Sequence, residues 1–198
     1  MSRADATAPD SKKRRILDAA RALLVKRGYQ DFVLDDVARQ AGVAKGTLFL
    51  YFRSKDQLFA AAFADLVDSL GESLDELLTG PLAGRALLEA TVRAILGHFE
   101  RNRDFMASAG GGKFPGCGDR SNGRLMGKMS RNVERLARVL ARCAKDGLLA
   151  PRDRGFLPFA VFGLCRSASF QDVLSLRPKT LSSKVRSVVD LLLEGAAR

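Results

Sequence analysis

The chain has 198 residues, of which 46% are hydrophobic and 28% charged, a balance typical of a folded globular protein. Its formal net charge of +11 favours a polyanionic partner, either nucleic acid or an anionic membrane surface. Three cysteines without a CxxC spacing and a single histidine argue against a disulfide framework, a metal site or any cofactor, and favour the reducing cytoplasm.

Apolar residues recur every three or four positions along the chain, and the alternation typical of strands is absent. We therefore predict an all-α protein of about nine helices. Residues 1–10 have no apolar core of a signal peptide and are expected to form a disordered arm, and no apolar run suits a membrane span. Helices are predicted over residues 11–27, 34–41, 44–52, 54–78, 82–107 with a bend near Asn102, 124–147, 154–176 and 181–197.

The second and third helices are short and are joined by a tight turn at Gly42, as in a helix-turn-helix. In that motif the N-terminal half of the second helix enters the major groove, so Lys45 and Thr47 are expected to face base edges or phosphates. Gly46 would let the backbone approach the duplex. Lys55, at the start of the next helix, is placed for a phosphate. Residues 1–55 hold twelve Lys and Arg against six Asp, which is +6 of the total +11.

Residues 42–58, GVAKGTLFLYFRSKDQL, resemble the recognition segment of the TetR family of bacterial transcriptional regulators, and ILDAARALLVKRGY and DDVARQAGV before them also match. The resemblance covers about residues 13–63. It implies a three-helix DNA-binding domain over residues 11–57 and a helical-bundle domain for ligand binding and dimerisation over residues 58–198. It also implies a homodimer on a palindromic operator, released by a small-molecule effector. The family's DNA contacts fall on Lys45, Gly46, Thr47, Phe49, Tyr51 and Lys55.

The chain departs from the family pattern at the recognition helix and at two helix caps. Phe49 stands where the family usually has tyrosine, so a phosphate-binding hydroxyl is absent, although the ring can still contact sugar or a thymine methyl. Val33 and Ala44 stand where Ser or Thr usually caps the two short helices, and each change should cost up to about 1 kcal/mol.

Two sets of residues in the C-terminal part are candidates for the ligand pocket and the dimer interface. A mixed polar and aromatic strip predicts pocket-lining residues, although a satisfied core histidine is a common alternative for His98. The apolar stripe of the last two helices exceeds what one peripheral helix pair should expose, and its small residues suit close helix packing. The pocket candidates are Thr91, His98, Asn102, Phe105 and Phe170, and the interface candidates are Phe159, Gly163, Ser167, Val185, Val188 and Leu192.

Seven cations follow one stripe of the helix predicted over residues 124–147: Arg124, Lys128, Arg131, Arg135, Arg138, Arg142 and Lys145. A solvated outer face is the usual explanation, and contact with DNA, a partner or an acidic effector is the alternative. Cys117 lies in a glycine-rich loop, residues 110–123, and is either a bystander or a thiol sensor.

These features favour a DNA-binding transcriptional regulator, most often a repressor in this family, over two other classes. An enzyme would need a convergent acid, base or nucleophile set, and the sequence offers none. A cationic membrane-surface protein would place its basic residues along one long amphipathic helix, whereas here they concentrate around a helix-turn-helix. The sequence leaves the effector, the operator and the sign of regulation open.

Overall fold

A computed structural model describes residues 8–108, 120–145, 147–148, 155–174 and 180–196. Within these ranges the chain is all-α and has no strand. The helices are α1 (Ala8–Arg27), α2 (Leu34–Ala41), α3 (Lys45–Tyr51), α4 (Lys55–Thr79), α5 (Gly84–Arg101), α6 (Arg103–Ser108), α7 (Arg120–Lys145), α8 (Leu157–Leu174) and α9 (Leu181–Ala196).

The described helices confirm the predicted all-α class and differ from the predicted bounds mainly at their ends. The helix α1 begins at Ala8, three residues before the expected start. The expected bend at Asn102 is a break between α5 and α6. Residues 1–7 of the predicted arm and residues 109–119, with Cys117, lie outside the described ranges.

The first compact unit comprises residues 1–66 and 103–126. In it α1 packs on α2 and α6, and α2 packs on α3. Its core combines aliphatic side chains of α1 with an aromatic group in which Phe59, Phe63 and Phe105 stack at centroid distances of 6.0–6.4 Å. This core holds the two short helices, which could not persist alone because helices of seven or eight residues are unstable in water.

The second compact unit comprises residues 67–102 and 127–198. Here α5 packs on α8 and α9, and α8 packs on α9, around a core that includes Leu74, Leu88, Ile95 and Leu136. Almost all of the core side chains are aliphatic, as expected for amphipathic helices that bury one face. The division into the two compact units falls between Leu66 and Val67, inside α4. The predicted domain boundary at residues 57–58 stays a prediction.

A polar seam joins the C-terminal half of α4 to α7 within the second unit. Asn132, which is 4% exposed, donates from Nδ2 to the carbonyl of Val67 at 2.7 Å. The guanidinium of Arg135 donates from Nε to Asp75 at 2.8 and 2.9 Å and from Nη1 to Asn132 Oδ1 at 3.0 Å. A Cβ on Gly71 would lie 2.7 Å from Asn132 Oδ1. The seam therefore depends on the absence of a side chain at Gly71.

The basic stripe of α7 is divided between this seam and solvent. Lys128 pairs with Asp68, Arg135 pairs with Asp75, and Arg142 donates to the carbonyls of Leu77 and Leu78 at 3.2 and 2.6 Å. These three cations hold α7 on α4, and Arg142 also lies at the negative, C-terminal end of the α4 dipole. The remaining four, Arg124, Arg131, Arg138 and Lys145, are exposed. The predicted solvated face thus accounts for only part of the stripe.

This division predicts different stabilities for neighbouring arginine variants. Arg135→Gln should lower the free energy of unfolding by about 1 kcal/mol, because it removes hydrogen bonds to a half-exposed carboxylate and to buried Asn132. Arg138→Gln, one turn away and exposed, should change it by less than about 0.5 kcal/mol. Urea unfolding followed by circular dichroism measures both. Equal losses would mean that the seam contributes nothing to stability.

Candidate functional site

The turn between α2 and α3 has the geometry expected from its glycine. Gly42 ends α2 in the left-handed region at φ 62°, and its N–H donates to the carbonyls of Ala38 and Arg39. Glycine adopts this conformation without the steric cost that a Cβ imposes. Neither Val33 nor Ala44 provides a side-chain cap for the helix that follows it, as the sequence indicated.

The helix α3 buries one side and presents the other to solvent. Leu48 is fully buried and Phe52, just beyond the helix, is 5% exposed, so these two side chains anchor α3 in the first unit. Lys45, Gly46 and Phe49 are exposed. Thr47 and Tyr51 are partly buried at the edge of that face. The exposed face therefore combines a cation, a position without a side chain and an aromatic ring.

Leu50 is 85% exposed on the same side of α3 as Gly46, although it is not among the DNA contacts predicted from the sequence. The apolar character of the stretch left open which of its leucines packs inward. The spacing of four residues from Gly46 was the available signal, because residues at i and i+4 share a helix face. An exposed leucine there can contact a thymine methyl in a major groove.

The two lysines of the predicted site make intramolecular contacts. Lys45 Nζ pairs with Asp35 at 2.8 Å, and both side chains are more than half exposed, so the pair is readily exchanged for another anion. Lys55 Nζ donates to the carbonyl of Gln30 at 2.9 Å and lies 4.5 Å from the centre of the Tyr29 ring. Lys55 thereby ties the start of α4 to the segment between α1 and α2.

Tyr29 links the same segment to α4 by its hydroxyl, which donates to Asp56. Partial burial, together with the hydrogen bond and the negative charge of Asp56, raises the pKa of Tyr29 above its usual value. The phenol thus stays protonated across the physiological range and remains a donor. This bond and the contacts of Lys55 fix the N-terminal end of α4 beside the helix-turn-helix.

The predicted pocket residues occupy different environments. Thr91 is fully buried and donates to the carbonyl of Leu87 at 2.7 Å, and His98 is 4% exposed in the second unit. Asn102 donates to the carbonyl of His98 at 2.8 Å. Phe105 belongs to the aromatic core of the first unit, whereas Phe170 is exposed on α8. Their grouping into one pocket remains a prediction.

An open groove of about 530 Å³ lies elsewhere in the second unit, along α5 and the start of α9. Alanines and Gly97 form its floor, Arg93 and Arg101 stand beside it, and Leu181 contributes from α9. None of the predicted pocket residues lines it. Over the part of the chain that the structure describes, no group of three or more His, Cys, Asp and Glu is arranged to hold a metal ion.

The six predicted interface residues fall into two groups. Phe159, Gly163 and Ser167 lie on an exposed face of α8 with Phe170, and Phe156 is exposed just before the helix begins. Val185, Val188 and Leu192 are 2%, 4% and 6% exposed, because α9 packs them into the core of its own unit. These three side chains therefore do not form a free surface.

Of the cysteines whose surroundings are described, Cys143 and Cys165 are buried in the second unit. Burial raises the pKa of the Cys165 thiol to about 12, so the reactive thiolate is scarce at neutral pH.

Comparison with known proteins decides the family of the helix-turn-helix region. Residues 16–62 match the model of the tetR family of bacterial regulatory proteins. Residues 16–62 therefore belong to the DNA-binding region of the TetR family. Residues from Ile16 to Ala62 include α2, α3 and the positions of every predicted DNA contact.

Two curated TetR relatives match part of this chain. The fatty acid metabolism regulator protein of Bacillus subtilis is 34% identical over 65 residues, which is 33% of this chain and 34% of that protein. The repressor KstR of Rhodococcus jostii is 42% identical over 69 residues, 33% of this chain and 32% of that protein. The matched part thus spans about a third of the length of either relative.

A solved structure extends the likeness to the whole TetR fold. The regulator FadR of Bacillus subtilis, solved in complex with stearoyl-CoA, has a TM-score of 0.76 and 20% identity, and the alignment covers 92% of this chain and 98% of that one. At this identity the likeness shows the fold alone: an N-terminal helix-turn-helix followed by a helical domain. In the described residues no helix combines the length and the apolar character needed to cross a membrane.

Proposed function

We propose that this TetR protein is a cytoplasmic, DNA-binding transcriptional regulator that acts as a homodimer on a palindromic operator. The observation that carries the proposal is the exposed face of α3, with Lys45, Gly46, Phe49 and Leu50 accessible while Leu48 anchors the helix. A helix of this kind fits a major groove, where cations meet phosphates and apolar side chains meet thymine methyls. Thr47, Tyr51 and Lys55 complete the proposed contacts at the edges of that face.

Selection of bound sequences from random DNA tests this function directly. We expect enrichment of an inverted repeat whose half-sites are about one helical turn, roughly 10 base pairs, or a multiple of it apart. Binding that shows no sequence preference, together with retention on anionic vesicles, would favour the membrane-surface alternative.

Lys45→Gln should weaken operator binding about tenfold at physiological salt, because one phosphate contact is lost. The slope of log K against log salt concentration should become shallower by about 0.9, the value expected for one phosphate. Fluorescence anisotropy over a range of salt concentrations measures both quantities. Asp35 is exposed, so loss of the Lys45 pair should leave stability nearly unchanged.

Lys26→Gln is the matched control for this variant. Lys26 is an exposed lysine of the same unit, at the end of α1, and it has no place in the proposed interface. It removes the same charge from the molecule. If both variants change the slope equally, general electrostatic attraction explains the effect and the assignment of Lys45 fails.

The homodimer is proposed to form through the exposed face of α8. Phe156, Phe159 and Phe170 are 64%, 58% and 57% exposed, and Gly163 and Ser167 lie between them. Large exposed rings separated by small residues allow another helix to approach closely, as in a twofold interface where the same face meets itself. We assign the dimer interface to this face of α8 because Val185, Val188 and Leu192 of α9 are buried within their own unit.

The small-molecule effector is proposed to be an acyl-CoA thioester that releases the protein from its operator. FadR of Bacillus subtilis was solved with stearoyl-CoA, and its fold covers nearly the whole of this chain. Titration of the operator complex with stearoyl-CoA, coenzyme A and stearate tests the class. Release of DNA by stearoyl-CoA alone supports an acyl-CoA effector, and release by none of the three compounds contradicts it. A reporter gene behind the operator then distinguishes repression from activation.

A further inference from the structure

Arg15 makes a concentrated set of hydrogen bonds at the helix-turn-helix, although it lies on α1. Its Nε is 3.0 Å from the carbonyl oxygen of Ala41, and its Nη2 is 2.5 Å from the same oxygen. Nη2 also donates to the carbonyl of Gly42 at 2.7 Å. One guanidinium therefore binds the last carbonyl of α2 and the first carbonyl of the turn that leads into α3.

These carbonyls need a partner because of where they lie. The last carbonyls of a helix have no partner within the helix, and the negative end of its dipole favours a cation. The helix α2 has eight residues and no side-chain cap at its N-terminus. Its geometry consequently depends on what holds its C-terminal end, and a guanidinium presents several N–H donors in a fixed planar arrangement that can bind two adjacent carbonyls.

Gly42 and Arg15 act on the same turn. Gly42 provides the left-handed backbone, and a Cβ built on it would lie 3.0 Å from Arg15 Nη2. The guanidinium thus occupies the space beside Gly42 that any larger residue would enter. Gly42 and Arg15 together fix the direction in which the chain leaves the turn. They therefore also fix the orientation of α3.

We propose that Arg15 is a positioning residue for DNA recognition, which orients α3 through the carbonyls of Ala41 and Gly42 without itself contacting DNA. This inference rests on the proposed function, because it assigns a role within the same DNA-binding site. Arg15 is exposed at the edge of this site, so a direct contact with a DNA phosphate is the alternative role that an experiment has to distinguish.

The salt dependence of operator binding separates these two roles. Arg15→Gln should raise the dissociation constant about tenfold, as expected for loss of hydrogen bonds from a charged group. The slope of log K against log salt concentration should stay that of the wild type, because no phosphate contact is removed. Arg15→Lys keeps the charge and a hydrogen-bond donor group without the planar geometry, and should restore part of the affinity. Binding is measured where circular dichroism shows each variant to be folded.

Lys13→Gln is the matched control, since it removes a charge two residues earlier and has no contact with the turn. The amide resonances of Val43, Ala44 and Lys45 should shift in Arg15→Gln and stay in place in Lys13→Gln. A shift confined to Arg15→Gln shows that the turn has moved, which simple loss of stability would not produce in a folded protein.

A double-mutant cycle with Gly42→Ala tests the coupling. In the wild type the new methyl group strains the left-handed backbone and displaces the guanidinium, whereas in Arg15→Gln only the strain remains. The combined loss of affinity should therefore be several times smaller than the product of the two single losses.

Any of the following results would overturn the inference. A slope reduced by about 0.9 in Arg15→Gln would make Arg15 a phosphate contact. Affinity within twofold of the wild type, or independent effects in the cycle, would remove any role in orienting α3. If the wild type enriches no DNA sequence, the proposed function fails and this inference with it, whereas an operator bound equally by the wild type and Arg15→Gln contradicts only the inference.

Discussion

Replacing both Phe159 and Phe170 by glutamate is expected to give a folded monomer that no longer holds its operator. Both rings are more than half exposed in the single chain, so the subunit core loses nothing. Four glutamates brought together across a twofold axis would repel one another and prevent association. Because two linked DNA-binding heads gain a factor of about 10²–10⁴ over one, operator affinity should fall by at least about a hundredfold. Sedimentation and anisotropy measure the two effects.

Val188→Glu is the control variant for this experiment. Val188 is 4% exposed inside the second unit, and an unpaired buried carboxylate should cost about 4 kcal/mol or more of the 5–15 kcal/mol that typically stabilise a domain. That variant should unfold at a lower urea concentration, and a loss of dimer in it would say nothing about the interface. A dimeric Phe159→Glu, Phe170→Glu double variant would show that α8 is not the dimer surface.

Gly71→Ala should destabilise the second unit by about 2 kcal/mol, although alanine is the better helix former. The new Cβ would lie 2.7 Å from Asn132 Oδ1 and 2.8 Å from Arg135 Nη1. Real Cβ atoms do not tolerate such distances, so the side chains of Asn132 and Arg135 must move and their hydrogen bonds must lengthen or break. Overpacking of this kind typically costs 1–3 kcal/mol. The midpoint of urea unfolding measures the change.

Gly127→Ala isolates the contact from helix propensity. Gly127 also lies inside a long helix, α7, but a Cβ there would meet only Arg131 Nη1 at 3.7 Å, an ordinary contact. This variant should gain up to about 1 kcal/mol, since alanine is favoured over glycine in a helix interior. Opposite signs for the two substitutions support the seam. A gain in both would mean that α4 and α7 do not approach as closely as the geometry indicates.

Local features of the helix-turn-helix could be predicted from the sequence because each one depends on neighbouring residues. Gly42 marked the left-handed end of α2, and the bounds of α2 were predicted to the residue. The absence of side-chain caps at Val33 and Ala44 followed from their lack of a hydroxyl or carboxylate. The inward packing of Leu48 followed from helical periodicity. These features need no knowledge of distant parts of the chain.

Other features of the site could not be predicted because they join residues distant in sequence. Nothing local distinguishes Arg15 from the neighbouring Lys12, Lys13 and Arg14, yet only the packing of α1 against α2 brings its guanidinium to Ala41, 26 residues away. Lys55 was predicted from the motif, but its contacts with Gln30 and Tyr29 arise from the fold of the first unit. Leu50 shows the same limit, since an apolar residue on a short helix can face either way.

The sequence by itself determined the all-α class, the helix-turn-helix and the TetR resemblance, because periodicity, turn residues and motif spacing are properties of short segments. Only the tertiary structure decided which cations of α7 bind α4 and which remain exposed, and which apolar residues of α8 and α9 are free. Helical periodicity tells which residues share a face, but it does not tell what that face packs against. Burial of Val188 and exposure of Phe159 follow from the neighbours that the fold brings to each helix.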